Sequence, residues 1–165
     1  MDIGRICRHL LLTHWQVKAA FPRPTLRAIE QSIAASERAH VGEVRFVVEG
    51  ALDTGPLFRS QSPRERAIDV FAQLRIWDTE HNNGLLIYLL LADHAVEIVA
   101  DRGIHAKVGQ PEWEVICRQM EASFRRAKYE DGVLRGIEAV TRHLVAHYPA
   151  TGAGPNELPD RPVVL

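Results

Sequence analysis

A polar loop and a short turn hold the residues of this sequence that are best suited to chemistry. The loop covers residues 78–83 and the turn covers residues 101–105. Carboxylate and amide oxygens are the ligands that hard divalent cations such as calcium, magnesium or manganese prefer. The predicted metal ligands are Asp78, Glu80, Asn82, Asn83 and Asp101. The alternative is a capped, hydrogen-bonded turn whose charges are solvated.

Two other routes to phosphate chemistry lack the residues they need. A cysteine phosphatase requires an arginine at a fixed distance after its thiolate, but Thr13 and Ser123 stand at those places after Cys7 and Cys117. A glycine-rich phosphate loop ending in Lys-Ser or Lys-Thr does not occur in the sequence. Both cysteines are therefore predicted to be buried, reduced thiols.

Strand and helix patterns place the loop and the turn at the same end of a sheet. Residues 43–49 alternate between apolar and charged, residues 85–91 are apolar throughout, and residues 95–100 alternate again, so three strands are predicted. A helix over residues 63–77 joins the first two strands, which should therefore be parallel. The link at residues 92–94 is too short for a crossover, so the second and third strands should form a hairpin.

The composition is that of one globular domain. The chain has 165 residues, of which 46% are hydrophobic and 25% charged, and it can bury a single core. Combined with the strand pattern, this predicts an α/β (α+β) fold, a small mixed sheet of three or four strands with helices packed on its faces. The net charge of −1 provides no general attraction for nucleic acid, so no nucleic-acid partner is predicted.

The N-terminal segment is basic and is predicted to be one amphipathic helix over residues 3–20. Residues 1–27 contain five arginines and lysines against one aspartate, a local charge of +4. Such a helix either keeps its charges in water or contacts an anionic membrane surface or a membrane protein. The apolar run at residues 10–12 is too short for a signal peptide. The predicted location is the cytoplasm, with this helix as the site of any peripheral membrane contact.

The chain is predicted to have three parts. Residues 1–23 form the basic helix, residues 24–148 form the α/β domain, and residues 149–165 form a tail rich in glycine and proline that is ordered only where it docks. The three tryptophans fall in apolar stripes and are predicted to be core residues; they are Trp15, Trp77 and Trp113.

Several of these residues resemble the pattern of the TPM domain family. Asn83-Gly84 precedes the apolar strand, and Gly103 lies in the turn after the hairpin. A second group of matching positions comprises Phe124, Arg125, Tyr129, Gly132 and Gly136. The resemblance runs from Thr25 to Tyr148 and implies a fold of one sheet with helices, divalent-metal binding and weak hydrolysis of phosphate esters.

Three functions follow as hypotheses. The first is a TPM-like module that binds a divalent cation and hydrolyses phosphate esters weakly, with catalytic roles for Asp101, Arg102, His105 and His81. In this hypothesis the metal activates water, Arg102 steadies the phosphate charge, and His105 or His81 moves protons. The second is a non-catalytic adaptor that contacts a membrane protein or a membrane surface through the basic helix. The third is a purely structural partner subunit of unassigned oligomeric state.

Overall fold

The computed structural model describes residues 3–150, 152 and 156–165. In this part of the chain a mixed four-stranded sheet is covered by helices on both faces, which confirms the predicted fold class. The strands are β1 Glu43–Glu49, β2 Gly84–Leu90, β3 Ala95–Ala100 and β4 Val163–Val164. The helices are α1 Ile3–Leu11, α2 His14–Ala20, α3 Arg23–Glu37, α4 Thr54–Phe58, α5 Pro63–Gln73, α6 Arg102–Val108, α7 Gln110–Phe124 and α8 Tyr129–His147.

The strand order is β3-β2-β1-β4, and it confirms the predicted parallel pair and hairpin. β1 and β2 are parallel, with Glu43 opposite Gly84. β2 and β3 are antiparallel and are joined by a single 3₁₀ turn at Leu91–Asp93. β4 was not predicted; it adds a short parallel strand to the other edge of β1, with Val47 opposite Val163.

Both faces of β1 and β2 are buried, because each face packs against its own set of helices. Val44, Phe46 and Val48 of β1 belong to the larger core, with α3, α7 and α8. Val47 and Tyr88 belong to the smaller core, on the side of α5. The charged residues of β1, which alternate with Val44, Phe46 and Val48, are therefore buried as well.

Helix α5 begins where the sequence predicts and ends four residues early. The Ser62 amide donates to Glu65 Oε2 at 2.7 Å, and Ser62 Oγ accepts from the Glu65 amide at 3.2 Å, which completes a capping box. The helix ends at Gln73, and Arg75 has a left-handed φ of 52°. Trp77 consequently lies outside the helix and is 50% exposed, so its prediction as a core residue is wrong.

The predicted single N-terminal helix is two helices, separated at residues 12–13. The Thr13 amide donates to the side chain of Gln16 at 2.8 Å, and Thr13 is the N-cap at which α2 begins. As a result Trp15 is 76% exposed and Cys7 is exposed, which contradicts their predicted burial. The predictions for Cys117 and Trp113 are confirmed, since both are buried in the larger core.

Helix α1 is fastened to the hairpin by buried polar contacts. Arg5 Nη2 lies 2.8 Å from Asp93 Oδ2, and His9 Nε2 lies 3.1 Å from Asp93 Oδ1. The other ring nitrogen of His9 accepts from the Leu52 amide at 3.0 Å. Although burial opposes it, hydrogen bonding from Arg5 and His9 lowers the pKa of Asp93. The N-terminal helix is therefore an integral part of the fold.

The described part of the C-terminal tail is docked on β1. Glu43 accepts hydrogen bonds from the amides of Glu157 and Leu158, each at 3.1 Å. Further along, the Leu165 amide donates to the carbonyl of Val48 at 2.9 Å. These contacts place the C-terminal segment along the first strand.

Candidate functional site

The start of β2 and the end of β3 bring the predicted turn against the predicted loop. Antiparallel pairing sets Leu85 opposite Ala100, and the Asp101 amide donates to the carbonyl of Gly84 at 2.8 Å. Asp101 is the N-cap of α6, where its Oδ1 accepts from the Arg102 amide at 2.7 Å. The loop and the turn therefore meet, as the topology predicts.

Asn82 is the residue that joins the loop to the turn. Its carbonyl accepts from the amides of Gly103 and Ile104 at 3.0 and 3.3 Å, and its Oδ1 accepts from Arg102 Nε at 3.2 Å. A β-carbon at Gly103 would lie 2.5 Å from the Asn82 carbonyl oxygen and 2.8 Å from Tyr148 Oη. Only glycine allows this close approach, which explains the glycine of the motif in structural terms.

Two buried oxygens beside this junction have no hydrogen-bond partner among the described residues. They are Asn83 Oδ1 and Asp101 Oδ2. Asn83 is fully buried and uses its Nδ2 to donate to the Val41 carbonyl at 2.9 Å. A buried polar group left unpaired costs about 1–3 kcal/mol, so a donor or a cation at this place would be stabilising. We call Asn82, Asn83, Asp101 and Arg102 the hairpin-edge site.

The other predicted site residues are more exposed than Asn83 and Asp101. Asp78, Glu80 and His81 are exposed, and His105 is half-buried on α6. Within residues 3–150, 152 and 156–165, no three histidine, cysteine, aspartate or glutamate side chains are grouped so that they could hold a metal ion. Any cation at this edge would therefore depend on amide oxygens and water as well as on Asp101.

Glu80 and His81 instead line a second feature, which we call the acidic cavity. It has a volume of about 780 Å³ and lies between the end of α3, the start of β1, the loop before β2 and the C-terminal segment. Its carboxylates are Glu37, Glu43, Glu80, Glu157 and Asp160. The Glu80 amide donates to Glu157 Oε2 at 3.0 Å, which ties the loop to the C-terminal segment.

Burial dominates the electrostatics of the acidic cavity. It raises the pKa of Glu37 to about 8, against the effect of the Val44 amide, which donates to Glu37 Oε1 at 2.9 Å. Burial also raises the pKa of Glu43. It lowers the pKa of His40, with a smaller opposing effect from the Gly42 backbone. His40 is 2% exposed, and among the described residues neither of its ring nitrogens makes a hydrogen bond of normal geometry.

Sequence reasoning gave no functional role to the residues of this cavity other than Glu80 and His81. Glu37 and His40 precede β1, Glu43 begins it, and Asp160 lies near the C-terminus. No local spacing connects them, because docking of the C-terminal segment is what brings them together. The alternation of β1 even suggested an outward-facing Glu43, which is in fact 4% exposed.

The two N-terminal helices present large apolar side chains to solvent. The exposed fractions are 72% for Ile3, 60% for Leu10, 74% for Leu11 and 76% for Trp15. Exposed basic residues, Arg8 and Lys18 among them, accompany these side chains. Within the described residues every helix falls short of the length and apolarity needed to cross a bilayer.

Comparison with known proteins agrees with the fold and the motif. The sequence model described as "TPM domain" matches residues 18–143 of the chain. The BA42 protein of the psychrophilic bacterium Bizionia argentinensis is 26% identical, with a TM-score of 0.75 over 86% of this chain and 92% of that one. The N-terminal domain of a P. gingivalis protein shares the fold at 19% identity, with a TM-score of 0.62 over 79% and 82% of the two chains.

None of the curated proteins compared with this chain matches it. The matched segment nevertheless extends from α2 through most of α8 and includes all of the hairpin-edge site. It begins earlier than the resemblance noted at Thr25 and ends slightly before Tyr148. The chain belongs to the TPM domain family.

Proposed function

We propose that this TPM domain binds a divalent cation at the hairpin-edge site. The observation that supports this function is the pair of buried oxygens without partners, Asn83 Oδ1 and Asp101 Oδ2. Both belong to residue types that bind calcium, magnesium or manganese, and Asp101 contributes a negative charge. Three further residues are proposed to contact the ion through water molecules. They are the exposed Asp78 and Glu80 and the half-buried Asn82.

Weak hydrolysis of phosphate esters is the activity we propose for the loaded site. A bound divalent cation polarises a phosphate and lowers the pKa of a water molecule. Arg102 is exposed and is oriented by its bond to Asn82, so its guanidinium can hold a phosphate oxygen. His105 and His81 flank the loop and the turn and are the proposed proton carriers.

Cation binding is tested by thermal unfolding of the chelator-treated protein. A ligand that binds only the folded chain stabilises it by about 2.7 kcal/mol at a roughly hundredfold excess over Kd, so millimolar calcium, magnesium or manganese should raise Tm by several degrees. Asp101→Asn should abolish the shift. The matched control is Asp53→Asn, an exposed aspartate at the N-terminus of α4 that should retain the shift.

A wild-type melting temperature that none of the three cations changes would rule out the metal site.

Hydrolysis is measured separately with p-nitrophenyl phosphate. We expect a slow, cation-dependent rate that falls about tenfold or more in Arg102→Ala, since charge-assisted hydrogen bonds contribute about 1.5–3 kcal/mol. A rate that persists in the chelated protein would contradict the metal-assisted reaction and leave cation binding to stand on its own.

The second candidate function is that of an adaptor which docks on an anionic membrane surface through α1 and α2. The specific observation is the exposed apolar group formed by Ile3, Leu10, Leu11 and Trp15 next to basic side chains. Interfacial helices combine these two features, an apolar face that enters the headgroup region and cations that attract anionic lipid. The cytoplasmic location remains a prediction from the sequence.

Vesicle sedimentation tests the adaptor function with point variants, because deleting α1 and α2 would also remove the contacts of His9 and the buried Val17. Vesicles that contain phosphatidylserine should sediment the protein at low salt, and added salt should weaken the binding. Leu11→Gln combined with Trp15→Gln should release it. Trp77→Gln, which changes an exposed tryptophan elsewhere, should not. Wild-type protein that stays in the supernatant at low salt ends this hypothesis.

A further inference from the structure

Among the described residues, the acidic cavity is lined by more carboxyl groups than basic groups. Five carboxylates line it, and the nearby cations are Arg38, which lines the cavity, and Arg45, which interacts with Glu37 and Asp160. Glu43 is satisfied by two amides of the C-terminal segment. Glu37 and Asp160 use one oxygen each, for the Val44 amide and for the Asn156 side chain. Each of these two carboxyl groups therefore keeps an oxygen for another partner.

Glu37 and Asp160 both line the cavity and interact with each other. Asp160 raises the pKa of Glu37, because both carboxyl groups are acceptors when ionised. A shared proton, or a further cation in addition to Arg45, would stabilise such a pair. Asp160 belongs to the docked C-terminal segment, so whatever neutralises the pair also joins that segment to α3.

His40 is a second and independent sign that the cavity takes a ligand. The ring lines the cavity and is almost fully buried, and neither nitrogen makes a hydrogen bond of normal geometry with a described residue. A buried imidazole normally has hydrogen-bond partners. Because burial favours its neutral form, one ring nitrogen is an acceptor that can receive an N–H group.

We propose that the acidic cavity binds a small aliphatic amine, with its ammonium group held by Glu37, Asp160 and the ring of His40. An ammonium group offers three N–H donors, which matches one donor to each of these three acceptors. This function goes beyond the hairpin-edge site. Of the residues in the metal and phosphatase proposals, Glu80 and His81 also line the cavity, but neither is among the groups proposed to hold the ammonium.

The size of the cavity favours an organic cation over a bare metal ion. Its volume of about 780 Å³ is in the range of small-molecule sites, whereas the volume that one water takes up in the liquid is about 30 Å³. In the described part of the chain its carboxylates and His40 do not form a metal-holding group. The methylene chain of an amine can also cover Ala34 and Val41, two of the apolar residues that line the cavity.

Isothermal titration calorimetry with cadaverine tests the proposal on the full chain at pH 8.5. Cadaverine should bind saturably with one molecule per chain, whereas 1,5-pentanediol, which has the same length without the charges, should not bind. Glu37→Gln should weaken binding about tenfold or more, because a hydrogen bond to a charged group is lost. Glu138→Gln makes the same charge change on an exposed residue of α8 and should leave the affinity unchanged.

The variant His40→Leu separates a binding role from a structural one. Since neither ring nitrogen makes a hydrogen bond of normal geometry within the described residues, an apolar side chain should leave the melting temperature of the free protein unchanged or raise it. The same variant should weaken cadaverine binding severalfold. If it lowers the melting temperature and leaves the affinity intact, His40 is a structural residue and the proposal fails in this form.

Two further outcomes would overturn the proposal altogether. One is a heat signal that sodium chloride of matched ionic strength reproduces, since that indicates general screening and no site. The other is that cadaverine does not bind, while magnesium or calcium binds and both Glu37→Gln and Asp160→Asn abolish that metal binding. That result would make the cavity a metal site. If only Asp101→Asn abolishes the binding of a metal cation, that cation binds at the hairpin-edge site. The amine proposal is then decided by the cadaverine titration alone.

Discussion

Glu37 shows how burial by itself alters the chemistry of a side chain. It lies at the end of α3, where sequence alone suggests a solvated acid, yet burial raises its pKa from 4.5 to about 8. Glu43 and Asp160 face it and reinforce the shift, while the Val44 amide opposes it. The Arg45 guanidinium is also close and is attracted to it. The folded chain therefore holds a proton here at neutral pH.

A pH dependence of stability follows from this shift. The unfolded chain releases the proton near pH 4.5 and the folded chain near pH 8, so the contribution of Glu37 is fully present below about pH 4.5 and is lost as the pH rises to about 8. Glu37→Gln cannot ionise and should remove this loss. We expect wild type and variant to have similar urea midpoints at pH 5 and the variant to have the higher midpoint at pH 8.5.

The test uses the difference in urea midpoint between wild type and Glu37→Gln, because other groups titrate in the same pH range. Burial also raises the pKa of Glu43 and Glu97, whereas the contacts of Asp93 lower its pKa. These contributions are common to wild type and variant and cancel in the difference. If the difference between the two urea midpoints stays constant from pH 5 to pH 8.5, Glu37 is ionised in the folded chain over this range.

At the scale of elements, the loop between α5 and β2 depends on a glycine. A β-carbon at Gly84 would lie 2.0 Å from the carbonyl oxygen of Ile76, so the chain crosses itself here with no room for a side chain. This crossing positions residues 78–83 ahead of β2. The glycine of the family motif therefore maintains the approach to the hairpin-edge site without touching a ligand.

Gly84→Ala should destabilise the protein by about 1–3 kcal/mol or more, since backbone atoms have to shift to admit one methyl group. Gly55→Ala is the matched control, because a β-carbon at Gly55 meets nothing within 4 Å. It lies in α4, where alanine is the better helix former, so its stability should be unchanged or slightly higher. Equal urea midpoints for the two variants would contradict the steric reading of Gly84.

Across the whole molecule, the proposed functions occupy different places around one sheet. The hairpin-edge site lies where β2 begins and β3 ends. Asn83 of this site donates through its side-chain amide to the carbonyl of Val41, a residue that lines the acidic cavity. The apolar group of α1 and α2 is joined to the opposite end, since α1 is fastened to the turn between β2 and β3 by Asp93. A membrane contact through α1 and α2 would therefore leave the hairpin-edge site and the cavity facing away.

The sequence by itself determined the features that depend on neighbours along the chain. Alternation and apolar runs predicted β1, β2 and β3, the short link predicted the hairpin, and the helix predicted over residues 63–77 begins where α5 begins. From that order of elements the meeting of Asn82 with Asp101 and Arg102 also followed. These predictions succeed because hydrogen bonding and side-chain direction in helices and strands repeat over a few residues.

Only the tertiary structure decided which side chains lose contact with water, because burial depends on elements that are distant in sequence. Trp15 and Trp77 have the spacing of core residues, but in the described part of the chain no element covers them. His40 and Glu43 look like surface residues, yet α3, β1 and the docked C-terminal segment enclose them. The acidic cavity and the unpartnered oxygens of the hairpin-edge site arise in the same way, since packing alone determines which polar atoms are left without a partner.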